Sequence, residues 1–192
     1  MPLTEYNFNE ENAVDRIFYG RIIVKKAASF LFFTEEGIVK NLIHYLKYRN
    51  QPDIGSFLGD WWGGLLRGEN SLAGRIDCVI PVPLHPAKQK QRGYNQVSLF
   101  GQRLAVQWQV PFLESALRKT SNSKTQTRKD RWYRWQGSSE LYTLPDPGLI
   151  RGKRVLLVDD VLTTGATLEA CAKALQQAEG VTVYVATMAV VP

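Results

Sequence analysis

The spacing of apolar positions changes period along the chain, and each change marks an element. Val155, Leu156, Leu157 and Val158 form a short unbroken apolar run, as a strand buried on both faces of a parallel sheet requires. After a turn of small residues, Leu168, Cys171, Ala172 and Leu175 return at the spacing of one helical face. Residues 76–83 predict a second strand, which runs out into a proline-spaced loop extending to Gln96. Val97, Phe100, Gly101, Leu104 and Ala105 then predict a helix, and a short strand follows over residues 110–113. Another strand is predicted over residues 181–191. Earlier in the chain, Ile38, Leu42, Tyr45, Leu46 and Arg49 share a face of a helix that begins at Gly37. Ile54, Phe57, Leu58, Trp61, Leu65 and Leu66 predict a second, with Gly63 and Gly64 loosening its later part. Strands alternating with helices in this order predict an α/β fold, a doubly wound and mainly parallel sheet with right-handed crossovers.

Asp159 and Asp160 follow the apolar run at once. Their side chains diverge at the strand end, and at least one lies at the carboxyl edge, where open α/β sheets bind ligands. Thr163, Thr164, Gly165, Ala166 and Thr167 then lead into a helix. Free backbone N–H groups at a helix start, joined by threonine hydroxyls, form a socket for a phosphate dianion. Carboxylates for sugar hydroxyls beside a phosphate socket define a sugar-phosphate site. A capped helix with two solvated aspartates is the simpler alternative, but it requires neither tandem acids nor so many threonines in one turn.

A chain of 192 residues can bury a substantial core without disulfide or metal staples. No apolar run approaches the length of a membrane span, and residues 1–12 are polar and acidic, unlike a secretory signal, so a cytoplasmic protein is expected. Cys78 and Cys171 sit in apolar patterns, away from metal-ligand spacing, and are expected to be buried free thiols. The net charge of +6 is concentrated. Arg118, Lys119, Lys124, Arg128, Lys129, Arg131 and Arg134 stand against a lone Asp130, an excess equal to that of the whole chain. This aperiodic stretch, residues 118–137, predicts a loop or mobile hairpin suited to an anion. Trp132, Tyr133 and Trp135 among its arginines leave another use open, as a stacking platform for single-stranded nucleic acid.

Val158-Asp159-Asp160-Val161 followed by Thr163 to Thr167 resembles the phosphoribosyl pyrophosphate (PRPP) motif of type I phosphoribosyltransferases. The resemblance implies that Asp159 and Asp160 hold the ribose hydroxyls, and it makes them the candidate catalytic residues. It implies further that Thr163, Thr164, Gly165, Ala166 and Thr167 hold the 5′-phosphate. Pro81 to Pro86 with Arg92-Gly93-Tyr94-Asn95-Gln96, Tyr45 to Tyr48, and Thr125-Gln126 are similar to segments of ComF-type competence proteins, often described as amidophosphoribosyltransferase-like. Through this resemblance the loop after the second strand is expected to bind pyrophosphate with Leu84, His85, Lys88 and Arg92. Type I enzymes often carry a non-proline cis peptide there. Lys124, Thr125, Gln126, Arg128 and Arg131 are expected in a lid that excludes water from the reaction. Asn95 is expected to cap the next helix, and His44 to be structural.

What the family implies is transfer of 5-phosphoribosyl from PRPP to a nitrogenous acceptor, with pyrophosphate leaving. Mg²⁺ is expected to arrive with PRPP, with no metal held directly by protein side chains. ComF-type members commonly begin with a Cys-rich zinc finger; this chain contains no CxxC pair, and no zinc is expected in it. By the same analogy, residues 1–36 form an N-terminal arm and cap, and residues 37–192 the phosphoribosyltransferase-like domain. A non-catalytic PRPP sensor is one alternative. Another is a competence or DNA-uptake factor that binds single-stranded DNA through residues 118–137. The expected partners are therefore PRPP, a small acceptor and, in the last case, DNA or the competence machinery, with a homodimer compatible with any of these.

Overall fold

The computed structural model describes residues 1–68, 71–120 and 141–192. In chain order these form α1 (Ala13–Ile17), β1 (Lys26–Phe32), α2 (Ile38–Tyr48), α3 (Asp53–Leu65), β2 (Cys78–Pro81), α4 (Pro86–Arg92) and α5 (Ser98–Trp108). There follow β3 (Arg118–Lys119), β4 (Tyr142–Thr143), a 3₁₀ turn (Pro147–Ile150), β5 (Arg154–Leu162), α6 (Ala166–Leu175) and β6 (Thr182–Val190). Strands β1, β6, β5 and β2 lie side by side in that order, all parallel. β5 takes an inner position because its residues from Val155 to Asp160 are buried. Both edges of the sheet are covered. Residues 2–4 run antiparallel along β1, with the Thr4 N–H donating to the Phe30 carbonyl at 3.1 Å. On the other side the Leu113 N–H donates to the Val79 carbonyl at 2.8 Å, adding residues 111–113 beside β2.

Successive side chains of a strand point to opposite faces. Leu156 and Val158 therefore pack with Leu58 and Trp62 of α3 and with Phe100 and Leu104 of α5. Val155 and Leu157 pack with Leu168, Cys171, Ala172 and Leu175 of α6, joined by Val14 and Phe18 from α1 and the residue after it. Asn12 starts α1 by accepting the Val14 N–H at 2.8 Å, while Asp15 accepts the N–H of Asn12 at 3.1 Å, so each satisfies an otherwise free donor. Asp15 also accepts the Ala27 N–H at 2.7 Å and thereby ties α1 to the start of β1. The boundary drawn at residue 36 runs between β1, a strand of the central sheet, and α2. No helix among the described residues is long and apolar enough to cross a membrane.

Three local expectations change. α2 buries Val39, Ile43 and Leu46, one position on from the predicted stripe, and leaves Ile38 and Tyr45 exposed. The stretch after β2 is helical rather than open: the His85 Nδ1 accepts the Ala87 N–H at 3.1 Å, Pro86 supplies a preset φ at the first turn, and Gly93 at φ 85° closes α4. None of the described peptide bonds is cis. Finally, α3 is continuous through Gly63 and Gly64 and buries Gly55, Gly59 and Gly63 against α5. A Cβ on Gly59 would meet the Phe100 carbonyl and the Arg103 Cβ, each at 2.8 Å. These glycines let two helices approach to backbone contact.

Gly59→Val should accordingly destabilise the protein by about 1 to 3 kcal/mol through overpacking. Gly64→Ala, where the nearest atom beyond the helix is the Arg67 Nη2 at 3.8 Å, should stabilise it by about 0.5 to 1 kcal/mol through helix propensity. Urea unfolding of the two variants beside the parent chain checks the opposite signs.

Candidate functional site

β5 continues past its acids to Leu162, so Asp159 and Asp160 lie within the strand, and the pleat sends them to opposite sides of the sheet. Asp160 turns towards α2 and α5. Its Oδ1 pairs with the Lys47 Nζ at 2.9 Å and accepts the Val161 N–H at 2.6 Å, while its Oδ2 accepts from the Gln96 Nε2 at 2.7 Å. Asp159 turns towards α6 and accepts the Asp160 N–H at 2.8 Å. Both are buried.

The electrostatic consequences differ. Burial, and then the neighbouring Asp160 charge, push the Asp159 carboxyl well above the ordinary carboxylate range; the Asp160 N–H, Lys47 and Lys119 oppose this without cancelling it. Around Asp159 lie three further groups whose ionisation is disturbed by burial. The Cys171 thiol and the Tyr142 phenol are pushed up, each also by the Asp159 charge. The Lys119 ammonium is held down, first by burial and also by Lys88. Lys119 donates to the Tyr142 hydroxyl at 3.0 Å and lies 5.0 Å from the centre of that ring. Tyr142 is in turn hydrogen-bonded to Thr167. The short β3–β4 ladder thus brings a half-buried cation to the rim of the Asp159 side, an arrangement built from residues far apart in sequence.

Thr163, Thr164, Gly165, Ala166 and Thr167 line a recess of about 60 Å³ together with Asp159. The first N–H groups of α6 open into it, since a helix start has no internal acceptors for them. Gly165 is needed there twice over: its φ is 76°, and a Cβ would stand 3.0 Å from the Ile17 Cγ2 and 3.2 Å from the Phe18 ring. Arg21 braces the same turn by donating to the Thr164 carbonyl at 2.6 Å and to Glu169 at 2.6 and 3.0 Å. Lys173 and Arg21 hold the Glu169 carboxyl below its ordinary range. The segment around α1 is therefore packed on the turn, and Arg21, which no motif marked, is part of its support.

Of the four residues expected to meet pyrophosphate, His85 uses its Nδ1 to start α4, and Lys88 is exposed on that helix. Leu84 is half-buried after β2. Arg92 donates to the Gln96 Oε1 and lies 5.7 Å over the Tyr48 ring. Because Gln96 donates to Asp160, Arg92 is linked to the acid through one side chain. Asn95 does not cap α5 as expected: the helix starts from Val97 without a side-chain cap, Asn95 Oδ1 accepts only the Val97 N–H ahead of it at 3.4 Å, and its amide donates to the Val82 carbonyl at 3.0 Å. Lys124, Thr125, Gln126, Arg128 and Arg131, the expected lid residues, lie outside the described residues, as do Trp132, Tyr133 and Trp135.

A parallel sheet with tandem acids and a threonine-rich helix start at its carboxyl edge defines a phosphoribosyltransferase-type domain, and residues 100–191 match the phosphoribosyl transferase domain family. Residues 100–191 carry that domain, and the chain is similar to competence protein F and to DNA utilization protein YhgH. Competence protein F of Haemophilus influenzae is 36% identical over 104 residues, which are 53% of this chain and 44% of that protein. DNA utilization protein YhgH of Shigella flexneri is 31% identical over 150 residues, 75% of this chain and 63% of the relative. The chain spans less than two thirds of either relative's length. Among solved structures, the glutamine PRPP amidotransferase of B. subtilis aligns with a TM-score of 0.54 at 20% identity, covering 77% of this chain and 30% of that one. The allosteric regulatory enzyme of purine biosynthesis aligns at 0.51 and 21%, covering 75% and 30%. At these identities the likeness establishes the fold, that of the type I phosphoribosyltransferases.

The raised Asp159 carboxyl has a measurable consequence for stability. An acid whose pKa is raised by folding holds a proton that the unfolded chain has released, so stability falls as pH rises from about 4 towards the raised value. Asp159→Asn cannot ionise and removes that dependence. Thermal unfolding at pH 5 and pH 8.5 should show the parent Tm dropping by more than that of the variant; parallel drops would mean that burial does not act on Asp159.

Proposed function

We propose that the chain binds Mg²⁺-PRPP at the carboxyl edge of β5 and transfers the 5-phosphoribosyl group to a nitrogenous acceptor, with release of pyrophosphate. The observation that carries this is the position of Asp159 on the lining of the Thr163–Thr167 recess, with Asp160 next to it in β5 and bordering Thr163 from the other side of the sheet, so that acids and phosphate-sized socket share one edge. In this reading Asp159 and Asp160 accept the ribose hydroxyls, and the turn residues receive the 5′-phosphate through N–H groups and hydroxyls. The stretch from Leu84 to Arg92, with Lys88 and Lys90 as exposed cations, faces the diphosphate. Mg²⁺ supplies charge neutralisation on the departing pyrophosphate. The chain's own share is positioning and electrostatic stabilisation, with Arg21 and Gly165 keeping the turn in place. Ribose hydroxyls that reach Asp160 displace or share the Lys47 and Gln96 contacts. A phosphorylated-sugar substrate assigns this activity to the cytoplasm.

Calorimetry with Mg²⁺-PRPP is the direct test. Binding should be detectable at micromolar to millimolar ligand, and the double variant Asp159→Asn with Asp160→Asn should weaken it by about 2 to 4 kcal/mol, the loss of two charge-assisted hydrogen bonds. A folded sample that gives no heat at millimolar ligand rejects the proposal.

A second reading is favoured by the relatives' names, competence protein and DNA utilization protein: contact with single-stranded DNA through residues 118–137. Such binding should weaken steeply as salt rises, and replacing Arg128, Lys129 and Arg131 by Gln should flatten the slope by about one unit for each phosphate no longer neutralised. Fluorescence anisotropy of a labelled oligonucleotide between 50 and 200 mM salt, roughly the range over which counterions compete with such binding, reads this slope. A salt-insensitive signal would remove the reading.

A further inference from the structure

A cavity of about 440 Å³ lies between the end of β5 and α2, bordered by Asp160 and Thr163 on one side and by Phe33, Lys40, His44 and Tyr48 on the other. Its volume suits one small planar molecule. Its walls are of two kinds. Ile43, Val161 and Val191 are apolar, and Phe33 and Tyr48 offer aromatic surfaces, with the His44 ring 5.2 Å from that of Tyr48. The charges are unbalanced. Lys47 is neutralised by Asp160 at 2.9 Å, whereas Lys40 forms no ion pair among the described residues, and Asp160 is the only acid on the described lining.

We infer that this cavity receives the acceptor, and that the acceptor is a planar aromatic or heteroaromatic nitrogen compound carrying a carboxylate, which Lys40 recognises. The inference rests on the phosphoribosyl-transfer reading, because it is the border with Asp160 and Thr163 that makes this cavity the acceptor's place. A ring between Phe33 and Tyr48 buries its faces, and its carboxylate meets the unopposed Lys40 ammonium. Lys40 is exposed, so with a neutral base its ammonium stays hydrated and adds nothing to binding, whereas a carboxylate at the rim gains a charge-assisted hydrogen bond. In the transfer the acceptor nitrogen forms a bond to C1 of PRPP. The C1–oxygen bond breaks with its electron pair leaving on pyrophosphate; an N–H or NH2 acceptor releases one proton to water, and a pyridine nitrogen, which has none, keeps the positive charge. His44, on the exposed face of α2, is a lining residue here and not merely part of the helix.

The test has two independent arms. Without PRPP, saturation-transfer NMR compares orotate, nicotinate and anthranilate with adenine and benzimidazole as neutral probes. With Mg²⁺-PRPP, pyrophosphate release is measured with the same compounds. The carboxylated rings should bind at least tenfold more tightly than the neutral ones and support release. Lys40→Met should remove that preference, Lys40→Arg should retain it, and PRPP affinity by calorimetry should be the same in both variants. Equal binding of neutral and carboxylated rings, or a preference that survives Lys40→Met, overturns the inference. Failure of PRPP to bind rejects instead the reading on which it rests, and the NMR arm still decides whether the cavity selects carboxylated rings.

Discussion

The carboxyl edge is organised by the burial of two adjacent carboxylates at the end of an inner strand. A buried charge is costly unless it is paired or hydrogen-bonded. The pleat forces the two acids apart, so each must find its compensation on a different face of the sheet. Asp160 finds it in Lys47, Gln96 and a backbone N–H, which fixes α2 and the start of α5 relative to β5. Asp159 has a single backbone N–H, and burial with the neighbouring Asp160 charge pushes its carboxyl above the ordinary carboxylate range, against the opposing pull of Lys47 and Lys119. The protein therefore presents one satisfied acid and one under-satisfied acid on opposite faces of the same strand end.

How much of this is legible in the sequence depends on how local each signal is. The β5 run, the tandem acids and the small-residue turn are contiguous, and the strand, the edge and the helix start all appear where they point. The family resemblance extends that to the fold. Helix α3 shows the opposite case. Gly63 and Gly64 read as weakness in an isolated helix, but Gly55, Gly59 and Gly63 recur every fourth residue, and α5 lies against them, with the Phe100 backbone at Gly55 and Gly59 and the Gln107 side chain at Gly63. That spacing is available as a signal, and only the partner gives it meaning. α4 escapes the apolar pattern because it buries no residue and a histidine is a rare helix-starting cap, although Pro86 and Gly93 bracket the helix in the usual order. The phase of α2 differs by one residue because Tyr45, amphipathic and bulky, faces outward where its apolar ring predicts burial.

Arg21 has no sequence signature, and Lys119 is marked only as one cation of a basic stretch, not as a neighbour of Asp159. Arg21 reaches a carbonyl 143 positions away, and Lys119 gains its significance from Tyr142 and Thr167 across a hairpin and a crossover. Residues that support a site from outside its motif carry no fixed spacing to it. They become visible once the topology has brought the segments together.

That topology also bears on how the protein comes to exist. β1 has β6 as its neighbour in the sheet, with Lys26 opposite Tyr184, and the antiparallel residues 2–4 are too few to hold it on their own. During synthesis β1 and the glycine-packed helices emerge early, yet the apolar strand must wait for β6 before its ladder can close. Pairing so distant in sequence makes for slow closure. Phe30 can pack early on Trp61 and Trp62 of α3, but Leu31 has no ladder partner until Ala189 of β6 has emerged. It is in that interval, rather than in the finished fold, that the chain is most open to capture by a chaperone or by another copy of itself.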